Sequence, residues 1–318
     1  YLKYKDLFEG LWKDAIERQK NEEVIWNIGF RGQGDVPFWE NDPAYDTPEN
    51  RGNLISSIMQ EQYDMIREQI PGAVCCTNLY GEILELYRDG HLQIPEDVIM
   101  IWADNGYGKM VSRRQGNHNP RVPALPEKGD KGLQGTYYHV SFYDLQAANH
   151  ITMLPNSMEF VEKELNDAMD HGITDLWVIN ASNIKPHVYP LSFIANLWKK
   201  KALTAGEHRK TYIREYYGAD CTEDQLTCME QCISRYPDAM LSFGEREDEH
   251  AGEQFYNYAV RDFIYGWMRD GAAAPIEELF WCTGEAAFDK QMDWFESKCN
   301  ATSNKIEQLY HDCAVVND

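Results

Sequence analysis

Polar side chains that could carry out acid–base chemistry recur in this sequence just after short apolar runs. In residues 24–35 an apolar run ends in the turn RGQGD. Further apolar runs that are followed by polar residues occur before residue 185. Two separated carboxylates, a cation, a histidine and several amides suit general acid–base hydrolysis of a polyhydroxylated substrate. The polar residues at these positions are Arg31, Asp35, Asn78, Glu82, Asp104, Asn105, His139, Asn180, Asn183 and Lys185.

In such a reaction one carboxyl group donates a proton to the leaving oxygen while the other accepts a proton from water. Aromatic side chains near the same positions would stack on sugar faces and bind hydroxyl groups. The aromatic candidates are Trp26, Trp39, Trp102, Tyr107 and Tyr138.

Each candidate also has a purely structural explanation. Asp35 could cap the glycine-rich turn with Arg31 as its ion-pair partner, and Glu82 could be a surface residue on a short helix. His139 could be a hydrogen-bonded core histidine, and Asn180 could hold loop backbone together. The functional interpretation is favoured because the candidates follow five separate apolar runs.

Nucleotide and metal sites have less support. Residues 31–35 do not match the phosphate-binding GxxxxGK[ST] loop, and no GxGxxG opens a helix after a strand. His139 with Asp104 could bind a metal, but no HxH or HExxH spacing accompanies them. The sequence therefore predicts neither a metal nor a cofactor.

The elements that must position these residues alternate between strands and helices. Alternation predicts parallel strands whose carboxyl ends share one edge, in either a doubly wound sheet or part of a (β/α)₈ barrel. A long polar loop is predicted at 113–133. Besides the strand in 24–35, strands are predicted at 73–79, 98–102, 135–142 and 175–181, and helices at 4–19, 51–69, 80–87 and 157–171.

Beyond about residue 190 the pattern predicts helices alone. We therefore expect an α/β barrel portion at 1–205 and an all-helical bundle at 206–318. The missing barrel strands would lie upstream of residue 1, so the exposed sheet edges would pack against the rest of a longer chain or against a second copy. The predicted helices are 190–202, 206–217, 222–235, 249–269, 275–281 and 285–311.

The composition excludes some partners. A formal net charge of −22 over 318 residues argues against nucleic acid or an anionic membrane surface. No apolar run is long enough to span a bilayer, and the first residues do not form a signal peptide. The 8 cysteines have no metal-site spacing and are expected to be buried, reduced thiols.

The order of motifs resembles glycoside hydrolase family 115, the xylan α-1,2-glucuronidases. The resemblance covers about residues 5–200. The motifs that carry it are residues 31–35 (RGQGD), 80–82 (YGE), 102–108 (WADNGYG), 137–142 (YYHVSF) and 177–186 (WVINASNIKP).

The resemblance implies a (β/α)₈ barrel that removes glucuronic or 4-O-methyl-glucuronic acid from xylan side chains by inversion, without a metal. It makes Glu82 the general acid and Asp35 the base or a residue that orients water, and these two roles could be exchanged. Arg31 would bind the uronate carboxylate, and His139 and Asn180 would be sugar-site residues. A secreted or periplasmic location is favoured.

The sequence departs from the family pattern at three places. Asp104-Asn105-Gly106 stands where the family has Asp-Asp-Asn, and Asn183 replaces an aspartate. The acidic residue that follows Lys-Pro in the family is absent, since His187 follows Pro186. The alternatives are therefore a glycosidase of different sugar specificity, or a carbohydrate-binding relative with impaired catalysis.

Overall fold

The chain places its first half around a parallel sheet and its second half in helices. In the computed structural model we describe residues 1–32, 36–40, 42–112, 122–141, 143–144, 148–149, 156–242, 260–269 and 277–314. The predicted strand at 135–142 is therefore described as far as residue 141, and much of the predicted loop at 113–133 and of the predicted helix at 249–269 lies outside the described residues.

Five parallel strands form a curled half-barrel, as the alternating pattern predicts. The strands are β1 (Ile25–Asn27), β2 (Val74–Leu79), β3 (Ile99–Ala103), β4 (Gln134–His139), β5 (Tyr143–Asp144), β6 (Ala148–Asn149) and β7 (Leu176–Asn180). The strand order in the sheet is β1-β2-β3-β4-β7, and β5 and β6 form a separate two-stranded antiparallel sheet.

Within the described ranges, four α-helices accompany these strands, at the positions that the apolar periodicity predicts. They are α1 (Lys5–Gln19), α2 (Pro48–Gln69), α3 (Glu82–Arg88) and α4 (Met158–Asp170). Two of them begin at capping side chains: the Thr47 hydroxyl accepts a hydrogen bond from the Asn50 amide, and the Ser157 hydroxyl accepts one from the Phe160 amide. These caps stop α2 and α4 from extending backwards into the preceding loops.

The two faces of the sheet have different environments. The outer face packs against the helices in the main core, which includes Cys75 and Leu79 of β2 and Trp102 of β3. The inner face carries a small cluster of Cys76, Ile99 and Ile101. On that face Ile25, Val74 and Val178 keep 48%, 44% and 39% of their surface exposed. The inner face is thus only partly covered by the described residues.

Helices occupy the rest of the described chain. They are α5 (Val188–Trp198), α6 (Ala205–Tyr217), α7 (Glu223–Ala239), α8 (Val260–Met268), α9 (Glu277–Thr283) and α10 (Phe288–Ala314). The ion pair between Arg209 of α6 and Glu159 of α4, at 2.9 Å, ties this region to the half-barrel. None of the helices in the described ranges is long and apolar enough to cross a membrane.

One disulfide corrects the expectation for the cysteines. Cys232 of α7 and Cys313 of α10 are bonded, with Cα atoms 6.2 Å apart, so the prediction of reduced thiols is wrong for this pair. The two residues are 81 positions apart in the chain. Local spacing cannot reveal such a bond, because only the packing of α10 on α7 brings the two sulfur atoms together.

Two helical glycines should respond to alanine in opposite directions. A Cβ on Gly52 of α2 would lie 2.1 Å from the His91 carbonyl oxygen, whereas a Cβ on Gly10 of α1 would meet nothing within 4 Å. We expect Gly52→Ala to lower the free energy of unfolding by about 1–3 kcal/mol through overpacking. Gly10→Ala should raise it by about 0.5–1 kcal/mol through helix propensity. Urea denaturation followed by circular dichroism measures both, and equal effects at the two sites would contradict the packing of α2 on residue 91.

Candidate active site

Strand register gathers polar side chains at the carboxyl ends of the strands. Asn27 is the register partner of Cys76, Asn78 that of Ile101, and His139 that of Asn180. Because side chains alternate between faces of a strand, Asn27, Asn78, His139 and Asn180 all belong to the inner face. The Asn78 amide nitrogen donates to the Asn27 side-chain oxygen at 3.2 Å. These residues form one rim, as the parallel arrangement predicts.

Arg31 and Glu82 form an ion pair where β1 and β2 end. Arg31 Nε lies 2.7 Å from Glu82 Oε1, and Nη2 lies 3.3 Å from Oε2. Both side chains are about three-quarters buried, with 27% and 21% of their surfaces exposed. The guanidinium also lies over the Tyr80 ring, 5.1 Å from its centroid. The structure therefore brings together the predicted cation and the predicted acid.

Gly81 allows the sharp turn that places Glu82 beside Arg31. Gly81 adopts φ 53° and ψ −121°, and Glu82 is the first residue of α3 directly after it. Residues with a Cβ rarely adopt that backbone conformation. The sharp turn lets the chain leave β2 and begin α3 with the Glu82 carboxylate next to Arg31. In the sequence Tyr80-Gly81-Glu82, the glycine thus forms the turn and the next residue supplies the acidic side chain.

Asp104 and His139 form a second pair, and both are fully buried. His139 Nδ1 lies 2.6 Å from Asp104 Oδ1, and the His139 backbone amide donates to Oδ2 at 3.0 Å. The amides of Gly106 and Gly108 also donate to this carboxylate, at 3.0 and 2.9 Å. Because the carboxylate oxygen accepts, Nδ1 carries a proton. Asp104 thereby fixes both the loop after β3 and the orientation of the imidazole.

Asn180 continues this network on the neighbouring strand. Its Nδ2 donates to the Tyr137 hydroxyl at 2.7 Å, and its Oδ1 accepts from the Ser182 amide at 3.0 Å. The Tyr137 ring contacts the His139 ring edge-on, with centroids 4.6 Å apart. Tyr137 was not among the sequence-based site residues. The alternation of β4, which places residues 137 and 139 on the same face, was the signal that could have identified it.

The turn after β3 buries a further polar candidate, Asn105. Asn105 is 1% exposed, and its Oδ1 accepts from the Tyr107 amide at 2.9 Å. Within the described part of the chain, its Nδ2 has no hydrogen-bond partner. A buried amide donor without a partner costs free energy.

Three predicted aromatic residues lie inside the protein. Trp102 is on the outer face of β3, is fully buried and donates from Nε1 to Gln134 Oε1 at 2.7 Å. Tyr107 is 1% exposed, and Tyr138 is fully buried and donates from its hydroxyl to the Gly108 carbonyl oxygen at 2.8 Å. None of these rings offers a surface for stacking on a sugar.

Asp35 and Lys185 do not join the contacts of the rim among the described residues. Asp35 lies outside the described residues. Lys185 is exposed in the short 3₁₀ helix Lys185–His187, and it makes no hydrogen bond or ion pair among the described residues. No group of three or more histidine, cysteine, aspartate or glutamate side chains suited to a metal ion occurs in the described ranges.

Comparison with solved structures finds a neighbour with the same fold. That protein is described as a family GH115 4-O-methyl-α-glucuronidase with specificity for decorated arabinogalactans. It superposes with a TM-score of 0.58 at 17% sequence identity, over 98% of this chain and 44% of its own. The present chain therefore spans less than half of that protein.

Comparison with family models finds one match. The model described as glycosyl hydrolase family 115 matches residues 1–241, which include the whole half-barrel and helices α5 to α7. A comparison with curated proteins found no match. The family model extends over about three-quarters of the sequence, through every strand-end motif of the rim. The chain is a member of glycosyl hydrolase family 115.

Proposed function

We propose that this chain provides the catalytic rim of an α-glucuronidase that releases glucuronic or 4-O-methyl-glucuronic acid from a polysaccharide with inversion. The observation that carries the proposal is the contact between Arg31 and Glu82, 2.7 Å apart at the ends of neighbouring strands. A cation next to a carboxyl group suits a substrate that carries a carboxylate close to the bond to be cleaved.

Arg31 would bind the uronate through its planar guanidinium, which matches a carboxylate with two parallel hydrogen bonds. Without substrate, Glu82 occupies these donors. A bound uronate would compete for them and separate Glu82 from the cation. The released carboxylate would then take up a proton from water and, as a carboxylic acid, donate that proton to the glycosidic oxygen. Substrate binding would thus free the general acid at the moment when it is needed.

The base in this proposal is Asp35, four positions after Arg31 in the chain. An inverting pair of carboxyl groups lies about 6.5–9.5 Å apart, because a water molecule must fit between one of them and the sugar. Exchange of the acid and base roles between Glu82 and Asp35 remains the alternative assignment.

The other rim residues would bind the sugar. Asp104 holds the His139 ring in one orientation through Nδ1, at the edge of the proposed sugar site. Asn180 and Tyr137 would contribute further hydrogen bonds from the adjoining strands. The rest of the barrel would come from strands outside this chain, which would cover the exposed inner face of the sheet.

Two polysaccharides are candidate substrates. The family resemblance points to xylan, whereas the structural neighbour is described as specific for decorated arabinogalactans. Uronic-acid-bearing oligosaccharides of both kinds are therefore the substrates to test.

Replacing Glu82 tests the general acid. We expect Glu82→Gln to reduce the release of uronic acid by about 10²–10⁴-fold, because a glutamine cannot donate the proton to the leaving oxygen. The matched control is Asp89→Asn, which removes an exposed carboxylate at the other end of the same helix. Near-native turnover by Glu82→Gln would remove this residue from the mechanism. Binding of the oligosaccharide by the wild-type chain in calorimetry, with no released product, would favour the carbohydrate-binding alternative.

Replacing Arg31 tests substrate recognition. We expect Arg31→Gln to lower kcat/KM for an aryl α-glucuronide by about 10–100-fold, the loss typical of hydrogen bonds to a charged group. The methyl ester of the same glucuronide lacks the carboxylate charge, so the variant should lose the preference for acid over ester. Arg18→Gln, at an exposed arginine of α1, is the control. An unchanged acid-to-ester ratio in Arg31→Gln would argue against a uronate at this position.

A further inference from the structure

The guanidinium of Arg31 lies against an aromatic ring, a contact that the mechanism above does not use. The central carbon Cζ of this group lies over the Tyr80 ring, 5.1 Å from its centroid. At this distance the electrons of an aromatic face attract a cation. Tyr80 directly follows β2 and is half-buried.

Tyr80 and Glu82 contact different parts of the guanidinium. Glu82 accepts hydrogen bonds from Nε and Nη2, at the edge of the planar group, at 2.7 and 3.3 Å. Tyr80 contacts the face of the group. A guanidinium can donate from its edge and stack through its face at the same time. A uronate that replaces Glu82 at the edge therefore leaves the contact with Tyr80 in place.

The backbone that carries the Tyr80 ring is held on both sides. Leu79, the last residue of β2, is the register partner of Trp102 in β3. The Tyr80 carbonyl oxygen accepts a hydrogen bond from the Ile83 amide at 3.1 Å, in the first turn of α3. The ring is thus presented from the junction of a strand and a helix.

The backbone just before Arg31 is held as well. The Gln62 side chain of α2 pairs with both polar groups of Gly29: Oε1 accepts from the amide at 2.7 Å, and Nε2 donates to the carbonyl oxygen at 3.3 Å. The Phe30 and Phe38 rings are in contact, with centroids 5.3 Å apart. These contacts fix the point where the arginine side chain begins. Because that side chain is long and flexible, its charged end needs a contact of its own.

An aromatic ring is suited to hold a cation that has to bind a carboxylate. A carboxylate in the position of Tyr80 would compete with the substrate for the N–H groups of Arg31, as Glu82 does. A ring carries no formal charge and attracts the guanidinium through its face, so the edge donors stay available for the substrate.

We propose that Tyr80 is a positioning residue that determines the preference for uronic acid, because its ring holds the Arg31 guanidinium in place while the substrate carboxylate replaces Glu82. This proposal rests on the proposed function, since Tyr80 acts through the recognition of a uronate by Arg31. Without the ring, the cation would lose its position when Glu82 is displaced, and the substrate acid would lose its advantage over the ester.

Fluorinated rings test the contact without a large change in shape. Phenylalanine with an increasing number of ring fluorines, incorporated in place of Tyr80, has progressively fewer electrons on its face. We expect the affinity for glucuronate, measured by calorimetry, to fall at each step, by about 3–30-fold over the series. The thermal midpoint should stay unchanged, because the shape of the ring is kept.

Two ordinary variants separate the ring from its hydroxyl group. Tyr80→Phe keeps the ring and should keep most of the acid-to-ester preference in kcat/KM for the aryl α-glucuronide and its methyl ester. Tyr80→Leu removes the ring and should lower that preference by about 3–30-fold, with a raised KM for the acid. The matched control is Tyr265→Leu in α8, where Arg269 lies over the ring, 5.6 Å from its centroid, outside the rim. The control should behave as the wild-type protein does.

Two results would overturn the proposal. An unchanged affinity for glucuronate across the fluorinated series would mean that the ring only fills space. Equal losses in Tyr80→Phe and Tyr80→Leu would assign the effect to the hydroxyl group instead of the ring. A wild-type protein that binds no glucuronate would contradict the uronate site itself, and this proposal with it, so that outcome is distinct from the loss of the fluorine effect alone.

Discussion

The arrangement of the rim depends on the hydrogen bonds that the buried Asp104 carboxylate accepts. It accepts three backbone hydrogen bonds, from Gly106, Gly108 and His139, in addition to its contact with the His139 ring. The turn after β3 and the end of β4 are therefore fixed to one group. In a fully buried position such contacts are not weakened by water. The imidazole is consequently preorganised before any ligand arrives, which is the condition for effective sugar binding.

The ion pair of Arg31 and Glu82 differs from the pair of Asp104 and His139 in being partly exposed. Its two side chains retain some exposure, so a substrate carboxylate can reach the guanidinium. In this structure the two charges of the pair are directed at each other. In the proposed complex, Arg31 would instead bind the substrate carboxylate, and Glu82 would act as the general acid. The Asp104 and His139 pair provides a rigid frame, whereas the Arg31 and Glu82 pair can be rearranged.

The half-barrel also explains where substrate contacts would arise. Its outer face is buried against helices, while Ile25, Val74 and Val178 of the inner face remain partly exposed. Further strands would cover these side chains and complete the barrel around the rim, in line with a chain that spans 44% of its structural neighbour.

The sequence by itself determined the elements and the edge on which chemistry is gathered. Apolar runs of strand length, separated by helical periodicity, dictate parallel strands, and Arg31, Glu82 and His139 at their ends follow from that order. Tertiary structure alone decided which partner each side chain has. Asp104 binds the His139 ring, Trp102 packs in the core, and Cys232 is bonded to Cys313. Each of these contacts joins positions that are far apart in the chain. Local patterns fix periodicity and turns, whereas distances between elements depend on how their faces pack.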